Sequence, residues 1–481
     1  MSVRTPHPPL RSAAPSTLSR TLLFHIAPFL LLSVHVFLKT MGGDEPEHMH
    51  FAYLVGSGMK PYRDFMQHHM PLIWYVFAPI AVIPGFVAKV VFTKLLELAV
   101  LALSLRLLAV AFRDHARWTT WAFCLFFLFL APYNDFIDIR PELLGFPFVI
   151  ATAVFLLRAP VPGMREAVAW GVLCGLHLLL TPRVYPHILM LSLAMLLRPI
   201  PPRVKGGFVL SGALAALALF AYFGPMDILF FVFQLNADTI ALPLSKLRYP
   251  RETAVFLLAF IPACAALQLW RLRPAYLLLF ALNAVSAGLW SMERNPYPYS
   301  TLLILLVDLV FLIDWIHHNL RSRTVRLALF GSLAAASLLL TYRRNGYRKQ
   351  NNFFARAGRY EARLQACAGG SFQNMGVENR QHPIFIPDYT YFAFIMFPDE
   401  IRNTPDPDSV AAAKIQKVLR HTAGRGIRYV SDLPPCYVDP RVGRILQRAL
   451  PGVGIVVPDS ASSPFTRIQS PAYVRHRWTK H

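Results

Sequence analysis

The residues of this chain best suited to move a proton are Asp44, Glu45 and Glu47, which flank Pro46. Proline favours the first turn of a helix, and carboxylates at a helix N-terminus are stabilised by its dipole and stay ionised. An ionised carboxylate within reach of a hydroxyl is a general base. Helix capping alone is the competing account of the same residues. The stretch continues as "GGDEPEHMHFAYLVGSGMKPYRDFMQHHMPL", Gly42 to Leu72, and adds Asp64, His68 and His69. These imidazoles suit hydrogen bonding to a bound molecule. Adjacent histidines point apart on most backbones, so the expectation is no metal, with a divalent cation among Glu47, His50, His68 and His69 as the lesser alternative.

A second set of residues suits an anion. Arginine makes bidentate contacts to phosphate, and Arg140 stands beside Glu142 in "DIRPELL". Arg183 lies in "TPRVYPH", at the tip of two short apolar runs, where a charge without a partner is costly. "ERNPYPYS" brings Arg294 and Tyr297, whose aromatic neighbours stack on a ligand or form an interfacial belt. Lys94 and Glu97 are three apart inside one apolar run and are expected to pair across a turn.

The elements that must position these residues are membrane helices. The chain has 481 residues, 55% hydrophobic and 15% charged, a balance that soluble chains rarely show. A twenty-residue apolar run, Thr21 to Thr40, precedes the acidic stretch, and it is too long and lacks the cleavage site for a signal peptide. Further spans are expected near 86–112, 119–131, 143–157, 167–180, 184–197, 206–223, 253–270, 275–290, 300–315 and 327–342, about eleven in all. Residues 72–84 are short for a span and are expected in the interface. The net charge of +22 is read as basic loops and contact with lipid headgroups, and nucleic acid is excluded as a partner. Arg4, Arg11, Arg20, Arg113, Arg117, Arg158, Arg165, Arg198, Arg203, Lys205, Arg271 and Arg273 fall on one side if the spans alternate, which predicts a cytoplasmic N-terminus.

Three regions result. Residues 1–20 form a disordered basic cytoplasmic tail. Residues 21–342 form an all-α polytopic bundle with a chemistry-bearing first external loop at 41–85. Residues 343–481, where short strand patterns alternate with amphipathic helices, form a small extracytoplasmic α/β domain. Cys124, Cys174 and Cys264 are core residues of apolar runs, while Cys367 and Cys436 are free to pair in an oxidising compartment.

Asp44-Glu45, Gly58, Pro61-Tyr62, Asp64 and Pro71-Leu72, in that order, resemble the first external loop of the polyprenyl-phosphate-sugar-dependent glycosyltransferases of the GT-C superfamily. That group contains the protein O-mannosyltransferases and the lipid A aminoarabinose transferases. The detailed resemblance covers about thirty residues, and "QHHMPL" departs from the acidic-basic pair that the aminoarabinose transferases carry before their prolines. It implies a GT-C-like bundle in a bacterial inner membrane, with Asp44 as base and Glu45 and Glu47 shaping its field. The implied donor is a polyprenyl-phosphate sugar, and the acceptor an extracytoplasmic glycan, lipid or protein. Asp64, His68, His69, Arg140, Glu142, Arg183, Arg294 and Tyr297 are the implied substrate contacts, and no cofactor is required beyond the candidate divalent cation. A transporter or flippase of lipid-linked sugars, and a non-catalytic protein of the same fold, are the alternatives.

Overall fold

The computed structural model describes residues 16–38, 45–63, 67–84, 86–130, 140–234, 251–293 and 298–320, scattered positions between 322 and 335, and residues 406, 409, 412, 413, 416 and 448. Among the described residues the chain is helical, with no strand. The helices are α1 (Ser16–Leu38), α2 (Glu45–Gly56), α3 (Leu72–Ala81), α4 (Phe86–Ala111), α5 (Ala116–Leu130) and α6 (Pro141–Arg158). They continue with α7 (Met164–His177), α8 (Tyr185–Leu197), α9 (Pro202–Phe223), α10 (Arg251–Trp270), α11 (Pro274–Met292) and α12 (Leu302–Asn319). Most expected spans coincide with a helix to within a few residues. α1 starts at Ser16, inside the stretch expected to be a tail.

Four of these helices, α6, α9, α11 and α12, are long and apolar enough to cross a membrane. α4 and α5 qualify together as a fifth, bent by 105° at their junction. Among the described residues some apolar runs make short helices: α7 has 14 residues and α8 has 13. At 1.5 Å per residue these extend only about 20 Å, against a hydrocarbon core of about 30 Å. The last expected span and the region 343–481 lie almost wholly outside the described residues, as do Cys367 and Cys436. From that region comes one exposed contact, Arg448 Nη1 to Asp406 Oδ1 at 2.8 Å. Ser409 donates to the same carboxylate, and together these hold Asp406 down to about 2.

α6 and α12 form the centre, each with 67% of its apolar window buried, whereas α9 has 11% and is peripheral. Every residue from Leu302 to Phe311 is buried. Those side chains share one core with Phe146, Val149 and Ala153 of α6, Phe123 and Phe127 of α5, and Leu279 and Leu282 of α11. Lys94 and Glu97 pair inside α4 as expected, at 3.1 Å and fully enclosed.

α9 attaches to α7 through small residues. Gly171 and Gly175 sit one turn apart and receive Phe208, Ser211, Gly212 and Ala215. Ser211 Oγ donates to the Val168 carbonyl across the pair at 3.1 Å. Leu210, Leu214 and Leu217, at helical spacing on the same helix, are all exposed. Without a hydrophobic drive between helices in lipid, close backbone approach and van der Waals contact hold such a pair. A Cβ on Gly171 would lie 2.2 Å from the Phe208 carbonyl oxygen and 2.1 Å from Ser211 Oγ. Gly171→Ala should therefore cost about 1–3 kcal/mol, read as a lower thermal midpoint in detergent. An unchanged midpoint would rule out the tight α7–α9 contact.

Candidate functional site

The acidic first loop folds as a helical hairpin. α2 begins at Glu45 with Pro46 in its first turn, so Glu45 and Glu47 stand at the N-terminal end of the helix. Asp44, Asp64, Arg294 and Tyr297 lie outside the described residues. α2 ends where Gly58 adopts φ +88°, a left-handed conformation natural to glycine. Met49, Phe51, Ala52 and Leu54 of α2 then pack against Ile73, Trp74, Phe77 and Ala81 of α3. Two contacts reach α4: Lys89 lies over the Tyr53 ring, 5.5 Å from its centroid, and Thr93 Oγ1 meets Met49 Sδ at 3.7 Å.

The turn between the two helices is closed by polar contacts. Tyr62, at φ 66°, is fully buried, stacks on Phe231 and donates its hydroxyl to the His69 carbonyl at 2.6 Å. A left-handed tyrosine is a strained conformer that its surroundings must hold. Burial raises the Tyr62 phenol well above its ordinary value, with Tyr185, Tyr75 and Asp227 adding to the effect. Gln67 Oε1 accepts from the His68 and His69 backbone amides at 2.5 and 3.3 Å. The His68 and His69 rings do not point apart as expected. Their centroids are 4.0 Å apart, because this segment is a tight bend and not an extended strand. His48 of α2 joins them, its ring 5.2 Å from His69, and accepts from Trp74 Nε1 at 3.4 Å. Among the described residues no group of three His, Cys, Asp or Glu side chains has a geometry that could hold a metal.

The remaining charged motifs meet at the same end of the bundle. The Leu72 amide, at the start of α3, donates to the Leu179 carbonyl in the turn that carries Arg183. Arg183 sits in a 3-10 turn, Pro182–Val184, between α7 and α8. Its Nη1 pairs with Glu142 Oε1 in the first turn of α6. Its Nε and Nη2 hold both oxygens of Glu293 at 2.7 and 3.1 Å, just past the end of α11. Ser300 Oγ donates to Glu293 Oε2 at 3.0 Å. Arg140, buried at the N-cap of α6, adds a second positive charge near Glu142. Two carboxylates thus neutralise the guanidinium expected to bind phosphate, and an anion would reach Arg183 only by exchanging with one of them. Glu293, the first residue of "ERNPYPYS", was not among the expected site residues, because its partner Arg183 is 110 residues away in the chain.

No protein-family model matches the chain, and comparison with curated proteins returns no significant match.

Two outcomes follow from this geometry. Arg183→Met leaves Glu142 and Glu293 facing each other across a partly enclosed space. It should destabilise the protein by about 3–5 kcal/mol, much of which Glu142→Gln with Glu293→Gln restores. Denaturant titration of the three variants checks this, and an additive triple variant would remove the network. Burial pushes the His68 imidazole well below its ordinary value, with His69 and His48 acting in the same direction. Below about pH 6.5 the unfolded chain takes up a proton that folded His68 refuses, so stability falls with acid until the folded group titrates. Midpoints measured between about pH 7.5 and about pH 5 should drop less for His68→Gln than for the wild type; equal slopes would acquit His68.

Proposed function

We propose that this chain is a membrane glycosyltransferase that moves a sugar from a polyprenyl-phosphate donor to an extracytoplasmic glycan, lipid or protein acceptor. One observation carries the proposal. The first loop, "DIRPELL", "TPRVYPH" and "ERNPYPYS", spread over some 250 residues, supply Leu72, Glu142, Arg183 and Glu293 to one connected end of the helical bundle. A lipid-linked donor needs that arrangement, because its tail stays in the bilayer while its sugar reaches the interface.

In the proposed reaction Asp44 takes the proton of the acceptor hydroxyl; the dipole at the head of α2 favours its ionised form, and Glu45 and Glu47 shape its field. The acceptor oxygen forms a bond to the anomeric carbon as the bond from that carbon to the phosphate oxygen breaks. Polyprenyl phosphate leaves with the electron pair, and the anomeric configuration inverts. A single base suffices for this direct displacement. Arg140 and Arg183 meet the departing phosphate, and Asp64, His68, His69, Arg294 and Tyr297 contact donor or acceptor. About eleven spans, a cytoplasmic N-terminus, a bacterial inner membrane and an extracytoplasmic α/β domain at 343–481 belong to the same proposal.

A transporter or flippase of lipid-linked sugars is the second reading, favoured by the buried carboxylate Asp308 within α12. Sugar transfer in membranes, from a panel of radiolabelled polyprenyl-phosphate sugars, separates the two. Wild type should form glycosylated product, and well-folded Asp44→Asn should lose about a hundredfold or more of the rate. Equal transfer by both would remove Asp44 as the base. Movement of donor across the bilayer without product would favour the transporter.

A further inference from the structure

Deep between α10, α11 and α12 lies a polar group that no part of the proposed reaction uses. Asp308 Oδ1 accepts from Asn283 Nδ2 at 2.7 Å and from Gln268 Nε2 at 3.2 Å. All three side chains are more than nine-tenths buried: Gln268 is 0%, Asp308 1% and Asn283 8% exposed. Both amides spend their nitrogens on the same carboxylate oxygen. Asp308 Oδ2, Gln268 Oε1 and Asn283 Oδ1 are enclosed and have no hydrogen-bond partner. The three bare oxygens thus belong to residues joined in one hydrogen-bonded cluster. Among the described residues no ion pair neutralises Asp308, whereas Asp314, further along α12, has Arg158 and His318.

A buried carboxylate with bare oxygens is expensive unless a positive charge compensates it. We infer that Asp308, Asn283 and Gln268 form a binding site for one alkali-metal cation. Oxygen-only ligands suit hard cations. The charge decides the valence: one carboxylate and two neutral amides sum to minus one, which a monovalent ion cancels. A divalent ion would leave a net positive charge among apolar helices. A proton on Oδ2 would also cancel the charge, but it cannot satisfy both amide oxygens.

A cleft lies close by along α11 and α12. The cleft beside Arg183 and Glu293 is floored by Ser286 and Ile304. Ser286 is three residues from Asn283 on α11, and Ile304 is four from Asp308 on α12, so the site lies one helical turn deeper. Ser286 lines that cleft, and its Oγ is itself enclosed without a partner.

The test uses the full chain, purified in detergent, with sodium, lithium, potassium or choline chloride at one ionic strength. At least one alkali ion should raise the thermal midpoint saturably above the choline value, and bound radioactive sodium should be displaced by unlabelled sodium. Asp308→Asn should lose both effects. Should that variant fold poorly, Asn283→Ala removes a single oxygen, and its cation concentration at half effect should rise on the order of tenfold or more. Identical wild-type midpoints in all four salts with no retained radioactive sodium would overturn the inference, and so would a cation effect that survives in Asp308→Asn. The result is independent of sugar transfer, since none of these residues has a role in the proposed reaction.

Discussion

The arrangement at the chemistry-bearing end depends on one guanidinium. The turn between α7 and α8, both too short to cross a bilayer, holds Arg183 largely enclosed, where a lone charge is costly. Two helix ends answer it. α6 starts with Glu142, where the helix dipole favours a carboxylate, and α11 finishes just before Glu293. The guanidinium fork holds Glu293 with two nitrogens and Glu142 with a third. Five donors in a rigid plane make this three-way junction, which lysine could not reproduce. The first-loop hairpin inherits its position from it, because the Leu72 amide bonds to Leu179 a few residues before Arg183.

The opposite end of the bundle is built from the opposite pairing. α6 finishes with Arg158, which lies over the Phe112 ring and 3.5 Å from Asp314 of α12. Arg198 donates to the last carbonyls of α6, at Phe155 and Leu156, and Arg271 to Asn319 at the end of α12. Cations at a helix C-terminus complement its dipole as acids at the N-terminus do. Arg158, Arg198 and Arg271, three of the basic residues that the sequence assigns to one side of a membrane, therefore lie toward the end of the helices away from Arg183.

The helices were legible because long apolar runs between prolines and charged residues leave few alternatives: α6, α8, α9, α10 and α11 match their expected spans closely. Gly58 was legible as the stop of α2, and the Lys94–Glu97 pair from spacing alone. Other features depended on distant partners. Tyr62 reads as a motif residue, yet its buried, left-handed conformer exists because Phe231 and the His69 carbonyl receive it. The bend that stacks His68 beside His69 needs the Gln67 side chain as local acceptor, a contact that spacing rules do not foresee. Arg183 was recognised as needing a partner, but its partners lie 41 and 110 residues away. Asp308 was hidden for a related reason. One acid inside an apolar run barely changes its hydropathy, and the amides that single it out sit 25 and 40 residues earlier on other helices.

These two acidic centres differ in what compensates them, and that difference bears on function. At the helix ends, each glutamate bound to Arg183 has a cation, and the cluster of Arg140, Glu142, Arg183 and Glu293 sums to zero charge. A neutral network can fix helix ends without attracting an anion, so in the proposed reaction a phosphate would rely on Arg140 or on exchange at Glu293. In the interior Asp308 has two amide donors and, among the described residues, no ion pair. Ser286 and Ile304 line the cleft beside Arg183 and Glu293, about one helical turn from Asn283 and Asp308. A cation proposed for Asp308 would therefore act at a centre whose charge balance differs from that at the helix ends.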